Sequence, residues 1–240
     1  MSEIEPTTDA ETKPAKEAKS IEWATDVQRS RAGGVFYWLA VRFFRLTLMR
    51  WLRVKKVGSA HLDIDGPVIL APVHRSNLDS IIVACTAKRR LRAIGKDSLF
   101  TNTAFAWINS ALGAIPVRRG EADRAAIKAS QEIIADGAMM IVFPEGTRQR
   151  GHKVEGVFDG TTYLAQKTGA PIIPIGIGGT EAAMASGSKG IKRVRCSIVV
   201  GEPIPAPVGR MSQPQRREFS ENVVAELQRV FDEAIALADG

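Results

Sequence analysis

The chain reads as an α/β fold, and three apolar runs carry that reading. Val68-Ile69-Leu70-Ala71-Pro72-Val73 and Met139-Met140-Ile141-Val142-Phe143 are short and continuous, as buried strands are. Gly169-Ala170-Pro171-Ile172-Ile173-Pro174-Ile175-Gly176-Ile177 is a third, read as a strand with prolines at its borders. Helical stretches alternate with them: Leu78-Asp79-Ser80-Ile81-Ile82-Val83-Ala84 after the first run, and residues 121–136 before the second. Strand-to-helix turns at the carboxyl edge of an open sheet are where such proteins place chemistry.

The first run ends in His74-Arg75-Ser76-Asn77-Leu78-Asp79. An imidazole leaving a strand end can accept a proton near neutral pH. Asp79, in the first turn of the following helix, is close enough to hold the ring nitrogen that does not react, which makes a base and its orienter. Ser76 lies on the same tight turn, where attack through His74 would be strained, so the nucleophile is expected to be a substrate hydroxyl. Read alone, the pair is also compatible with a helix-start aspartate and an ordinary loop histidine.

The second run ends in Phe143-Pro144-Glu145-Gly146-Thr147-Arg148, at the same sheet edge. Glu145 can hydrogen-bond hydroxyls, Gly146 lets backbone approach a ligand, and Arg148 presents a planar fork suited to phosphate or carboxylate. Between the clusters, Ala114-Ile115-Pro116-Val117-Arg118-Arg119-Gly120 reads as a short strand ending in two arginines. An isolated Arg-Arg is usually a solvated face, so this feature is informative only beside the others.

In this order the segments resemble the glycerolipid acyltransferases, in particular the 1-acyl-sn-glycerol-3-phosphate acyltransferases. Four blocks carry the resemblance: His74 to Asp79, residues 115–120, Phe143 to Arg148, and residues 172–175; it extends over roughly residues 65–203. It implies a single domain with a mostly parallel central sheet flanked by helices, glycerol-3-phosphate acyltransferase-like, moving a fatty acyl group from a thioester to a glycerol hydroxyl. Carried over by position, His74 would be the general base and Asp79 its orienter. Glu145, Gly146, Thr147 and Arg148 would meet the acceptor, Arg118 or Arg119 would add phosphate affinity, and Pro174 would shape the pocket. The implied donor is acyl-CoA or an acylated carrier protein, with no metal and no cofactor. The implied acceptor is lysophosphatidic acid, giving phosphatidic acid. Asp159 stands where the family often has a basic residue, and Lys96 is placed to compensate. That departure keeps glycerol-3-phosphate, another lysophospholipid or a glycolipid open as acceptor, and a catalytically silent lipid-binding adaptor remains a third reading.

The 240 residues are 45% hydrophobic, enough for one domain with a core. The first twenty residues carry five acids and three lysines, so against an overall +7 their net −2 leaves the rest at +9. That excess points to a polyanionic partner. Without the aromatic-basic interleaving of a nucleic-acid module, anionic lipid is favoured and nucleic acid is not. Residues 1–20 read as a disordered tail, and residues 57–240 as the acyltransferase domain. Cys85 and Cys196 read as buried thiols of a reducing compartment.

Residues 21–56 read as an amphipathic helical segment. Its most apolar part, residues 34–54, is interrupted by Arg42, Arg45, Arg50 and Arg53, so no run reaches the ~20 apolar residues of a spanning helix. On a helical projection the arginines share one sector, with Phe36, Phe43, Phe44, Leu48 and Trp51 around the remainder and Trp38 among the arginines. The pattern predicts a helix lying in a membrane interface, hence a peripheral protein on the cytoplasmic face of the cell membrane. Residues 214–238 read as a core-packing helix. Gly176-Ile177-Gly178-Gly179 lacks the third glycine of a dinucleotide fingerprint, and Ser186-Gly187-Ser188-Lys189-Gly190 reads as a flexible basic loop.

Overall fold

The computed structural model describes residues 19–117, 122–155, 160–209 and 211–240, and leaves the side chains of 122–126 undescribed. The expected disordered tail lies outside the described residues except for Lys19 and Ser20. Ser20 caps the first helix, its Oγ accepting from the Trp23 N–H at 3.2 Å.

Three helices lead: α1 (Ile21–Arg29), α2 (Arg31–Leu46) and α3 (Leu48–Trp51). There follow β1 (Lys55–Val57), β2 (Val68–Pro72), α4 (Leu78–Thr86), β3 (Leu91–Lys96), α5 (Thr103–Ala111) and β4 (Ala114–Val117). The chain then forms α6 (Ala122–Ala135), β5 (Met139–Ile141), α7 (Gly160–Thr168), β6 (Ile172–Gly178), α8 (Thr180–Ala183), β7 (Ser197–Val200) and α9 (Gln213–Asp239). The seven strands form one sheet in the order β1-β7-β6-β2-β5-β3-β4, parallel except for β6 against β7. The α/β reading and the mostly parallel sheet are therefore observed.

Alternation within the strands separates the core into two apolar clusters. Val68, Leu70, Met139 and Ile141 belong to one, whereas Ile69, Ala71 and Met140 join Ile134 and Leu164 in the other. Because β2 lies between β5 and β6, its carboxyl end opens onto the ends of both neighbours, and this positions the site. Pro174 stands inside β6, paired with Ala71, and does not border the strand. Its buried ring lies beside Gly201, with Val230 of α9 adjacent. The glycines of β6 serve packing: a Cβ at Gly176 would lie 2.0 Å from the Val230 carbonyl oxygen, and one at Gly178 2.4 Å from that of Ala234. Helix α9 thus rests directly on the strand backbone.

The N-terminal segment differs from the single amphipathic helix expected. Ser30 ends α1 and caps α2, its Oγ accepting from the Gly33 N–H at 3.0 Å, and α2 stops before Thr47. Tyr37 and Val41 face inward and Leu48 is buried, while Val35, Leu39, Phe43, Leu46 and Trp51 are exposed. Arg45 does not join the outer arginines. Its Nε donates to the Cys85 carbonyl at 2.8 Å and its Nη2 to that of Ala87 at 2.7 Å, satisfying carbonyls that the end of α4 leaves unpaired.

Two glycine substitutions should therefore act in opposite directions. Gly176→Ala should destabilise the protein by about 3 kcal/mol, since the clash is with helix backbone and not with a side chain that can rotate away. Gly34→Ala, in α2 with nothing within 4 Å of its Cβ position, should stabilise it by about 0.5–1 kcal/mol. Urea midpoints with unchanged m-values would check both.

Candidate active site

Three strand ends supply the site. The chain leaving β2 carries His74, the chain leaving β5 carries Phe143 and Glu145, and the turn after β6 carries Thr180. His74 Nδ1 lies 3.1 Å from Asp79 Oδ2, and its ring stacks on Phe143 with centroids 3.8 Å apart and planes at 22°. The Asp79 contact holds Nδ1, which leaves Nε2 as the ring nitrogen available to a substrate proton. The histidine side chain keeps 18% of its surface exposed, while Asp79 keeps none.

A fully buried carboxylate survives only if its lone pairs are taken up. Asp79 Oδ2 accepts from the Arg75 N–H and the Ser76 N–H, both at 2.7 Å, in addition to the His74 ring. Its Oδ1 accepts from the Thr180 hydroxyl at 2.7 Å. The carboxylate is fixed from two sides, by the turn of its own helix and by the turn after β6. Thr180 was not singled out in the sequence, because it lies 101 residues from its partner and belongs to no recognisable pattern. Ser76 is excluded as a nucleophile: its hydroxyl donates to the Met184 carbonyl at 2.7 Å, and the residue is buried. Cys196 is no candidate either, since burial, with the Asp79 carboxylate nearby, pushes its thiol up to about 12.

Glu145 does not meet the solvent side of the site as expected. It is fully buried, its Oε1 and Oε2 accepting from Arg75 Nη1 at 2.8 and 2.7 Å and its Oε2 also from the His74 backbone N–H at 2.8 Å. The reason is Arg75, 2% exposed, which needs a counter-charge inside the protein. The same guanidinium donates to the carbonyls of His74, Gly151 and Lys153 at 3.1, 2.8 and 2.9 Å and lies 4.8 Å from the Phe231 ring. Glu145 and Arg75 together therefore set the backbone on which His74 stands. Sequence reading passed over Arg75, although a charged residue wedged between the base and its orienter was the available signal.

The remaining expected residues divide. Gly146, at φ 67°, makes the turn, and Thr147 and Arg148 are exposed beyond it. Arg148 Nη1 donates to Asn77 Oδ1 at 2.9 Å, and the Gln149 N–H donates to the His74 carbonyl at 2.8 Å. The arginine fork is thereby held beside the His74 turn, with donors left over. Lys96 is exposed at the carboxyl end of β3, two strands from β2, without a contact to the His–Asp pair. Arg118, Arg119 and Asp159 lie outside the described residues.

Arg75→Met should destabilise the protein by about 3–5 kcal/mol, because it strands a buried carboxylate. Adding Glu145→Gln should recover part of that loss, measured as a coupling energy by chemical denaturation of the single and double variants.

The chain is similar to known acyltransferases. A chloroplastic 1-acyl-sn-glycerol-3-phosphate acyltransferase of Brassica napus is 31% identical over 129 residues, covering 53% of this chain and 37% of its own. A 1-acyl-sn-glycerol-3-phosphate acyltransferase of Bacillus subtilis is 26% identical over 155 residues, covering 63% of this chain and 73% of its own. The chain spans about two-fifths of the length of the plant relatives it matches. The crystal structure of the 1-acyl-sn-glycerophosphate acyltransferase from Thermotoga maritima superposes with a TM-score of 0.67 at 24% identity, covering 89% of this chain and 86% of that one, a likeness of fold. The pattern of the family described as Acyltransferase matches residues 53–178, a span that holds His74, Asp79, Glu145 and Arg148, and the chain belongs to that family.

Proposed function

We propose that the protein transfers a fatty acyl group from a thioester to the free hydroxyl of 1-acyl-glycerol-3-phosphate, giving phosphatidic acid. The observation that carries this reading is the His74–Asp79 pair: a ring with Nδ1 held by Asp79 and, among the described residues, the neighbouring Ser76 hydroxyl turned away onto the Met184 carbonyl. The acceptor hydroxyl gives its proton to Nε2 as its oxygen attacks the thioester carbonyl carbon. Asp79 stabilises the imidazolium that results. The tetrahedral intermediate then collapses, its C–S bond breaks, and the departing thiolate takes the proton from Nε2. Arg148 is assigned to the acceptor phosphate, since its fork suits that group and Asn77 holds it beside the reacting turn. The reaction so written needs only thioester and acceptor, with acyl-CoA as the donor. The relatives' names, which state this acceptor class, favour lysophosphatidic acid over glycerol-3-phosphate.

The proposed location is a membrane surface. No helix among the described residues is long and apolar enough to cross a bilayer. Helix α2 instead presents Val35, Leu39, Phe43 and Leu46 outward, and Phe105 of α5 is 64% exposed. Phe36 joins the two helices by an edge contact with Trp107, centroids 5.2 Å apart. Exposed apolar side chains on two neighbouring helices are what an interfacial contact uses.

Thiol release from oleoyl-CoA with lysophosphatidic acid, with glycerol-3-phosphate and without acceptor tests the activity. Release that depends on lysophosphatidic acid is expected, and acceptor-independent or absent release would reject the reading. His74→Ala should lower the rate roughly 10²–10⁴-fold. Thr180→Val should lower kcat roughly 10- to 100-fold with little change in acceptor KM, the effect of losing a hydrogen bond to a charged group worth about 1.5–3 kcal/mol, and Thr180→Ser should restore it. Leu39→Ser and Phe43→Ser should each weaken partition into vesicles about tenfold, and unchanged partition would reject the interfacial contact.

A further inference from the structure

Two segments distant in sequence contain bases and no acids. Residues 27–62 hold eight Lys or Arg without an Asp or Glu, and residues 182–201 hold four, again without one. The fold joins them. Lys55 and Lys56 of β1 stand in register with Ser197 and Ile198 of β7. The Cys196 N–H donates to the Leu52 carbonyl at 2.9 Å, and the Lys55 N–H to the Cys196 carbonyl at 3.0 Å. The Arg193 guanidinium carbon lies 5.3 Å from the centre of the Trp51 ring.

The two adjoining segments carry Arg50, Arg53, Lys56, Lys189, Lys192 and Arg193, all exposed. Among the described residues, none of them ion-pairs with a carboxylate. Partial desolvation, with the Arg45 guanidinium nearby, holds the Lys56 ammonium below the usual lysine range although its side chain reaches solvent. Concentrating like charge without counter-ions costs stability, so an anionic partner would relieve it. The nature of the partner follows from what lies between the charges. Trp51 is 51% exposed, Leu46 60% and Ile191 43%, and the first two continue the apolar side of α2. An aromatic and aliphatic side chains interleaved with arginine and lysine match the headgroup level of a bilayer. The surface of an acidic protein would answer the charges and leave the apolar groups unmatched.

We propose that the 189–193 loop, with Arg50, Arg53 and Lys56, forms a second membrane contact that recognises the charge of anionic phospholipids, beside the apolar contact of α2. It rests on the membrane-surface reading above and assigns a partner to a loop without a part in the chemistry. The apolar contact would set depth in any bilayer, and the basic contact would select which bilayer.

The test is co-sedimentation of the full chain with phosphatidylcholine vesicles, with and without phosphatidylglycerol. Lys189→Ser/Lys192→Ser/Arg193→Ser should lose on the order of a hundredfold in partition to the anionic vesicles, about fivefold per base, and nothing on neutral ones. Arg50→Ser/Lys56→Ser, on the other segment, should show the same selectivity, and added salt should reduce wild-type binding toward the level of the variants. If the triple variant partitions like wild type while Leu39→Ser and Phe43→Ser lose binding, the basic contact is overturned and the apolar one stands. If the wild type binds neither vesicle, both are overturned. Retained vesicle binding in the triple variant, with turnover lost only on a carrier-protein thioester and not on acyl-CoA, would overturn the lipid assignment in favour of an acidic protein.

Discussion

The site is organised by the need to keep one buried carboxylate charged. Asp79 has no solvent contact, so every donor that reaches it is doing work that water would otherwise do. Two of those donors are the backbone N–H groups of Arg75 and Ser76, which forces the chain after His74 into a turn that wraps the carboxylate. A third is Thr180, which ties the end of β6 to the start of α4. The fourth is the His74 ring itself. The geometry of the base is therefore a consequence of solvating Asp79 from within, and the sheet order that places β6 beside β2 is what makes this possible.

A second buried charge pair does for the backbone what Asp79 does for the ring. Arg75 and Glu145 neutralise one another, and the rest of their hydrogen-bonding capacity goes to the His74 peptide and to the carbonyls of Gly151 and Lys153. Replacing such a pair with apolar groups can cost little in stability, so its presence is better explained by the geometry it imposes than by the energy it adds. Here that geometry includes the N–H and C=O of the residue that carries the base.

What was legible in the sequence is what is local. The runs 68–73 and 139–143 revealed two central strands because both faces of those strands are buried, and the polar clusters at their ends stood out against that background. Residues 214–238 were legible because a 27-residue helix repeats its pattern over many turns. Strand β1 was not, since it is three exposed residues placed by pairing with β7. Thr180, Arg45 and the inward turn of Glu145 were hidden for one reason: each is decided by a partner between 40 and 101 residues away. A helical projection could group Arg45 with the other arginines. It could not show that α4 would end beside it and need its donors.

That last contact links the outer helices to the chemistry. Helix α4 is nine residues long and is held at both ends, Asp79 in its first turn and the Arg45 guanidinium on the carbonyls of Cys85 and Ala87 at its last. Arg45 belongs to α2, the helix whose opposite side carries exposed Leu39, Phe43 and Leu46. Hydrogen bonds from a charged donor to two carbonyls contribute more than neutral ones, and a short helix pinned at both ends has little freedom to tilt. Helix α2 is thus joined through one guanidinium and one helix to the carboxylate that orients His74. A segment that sequence alone presents as an appendage is hydrogen-bonded to the helix that carries Asp79.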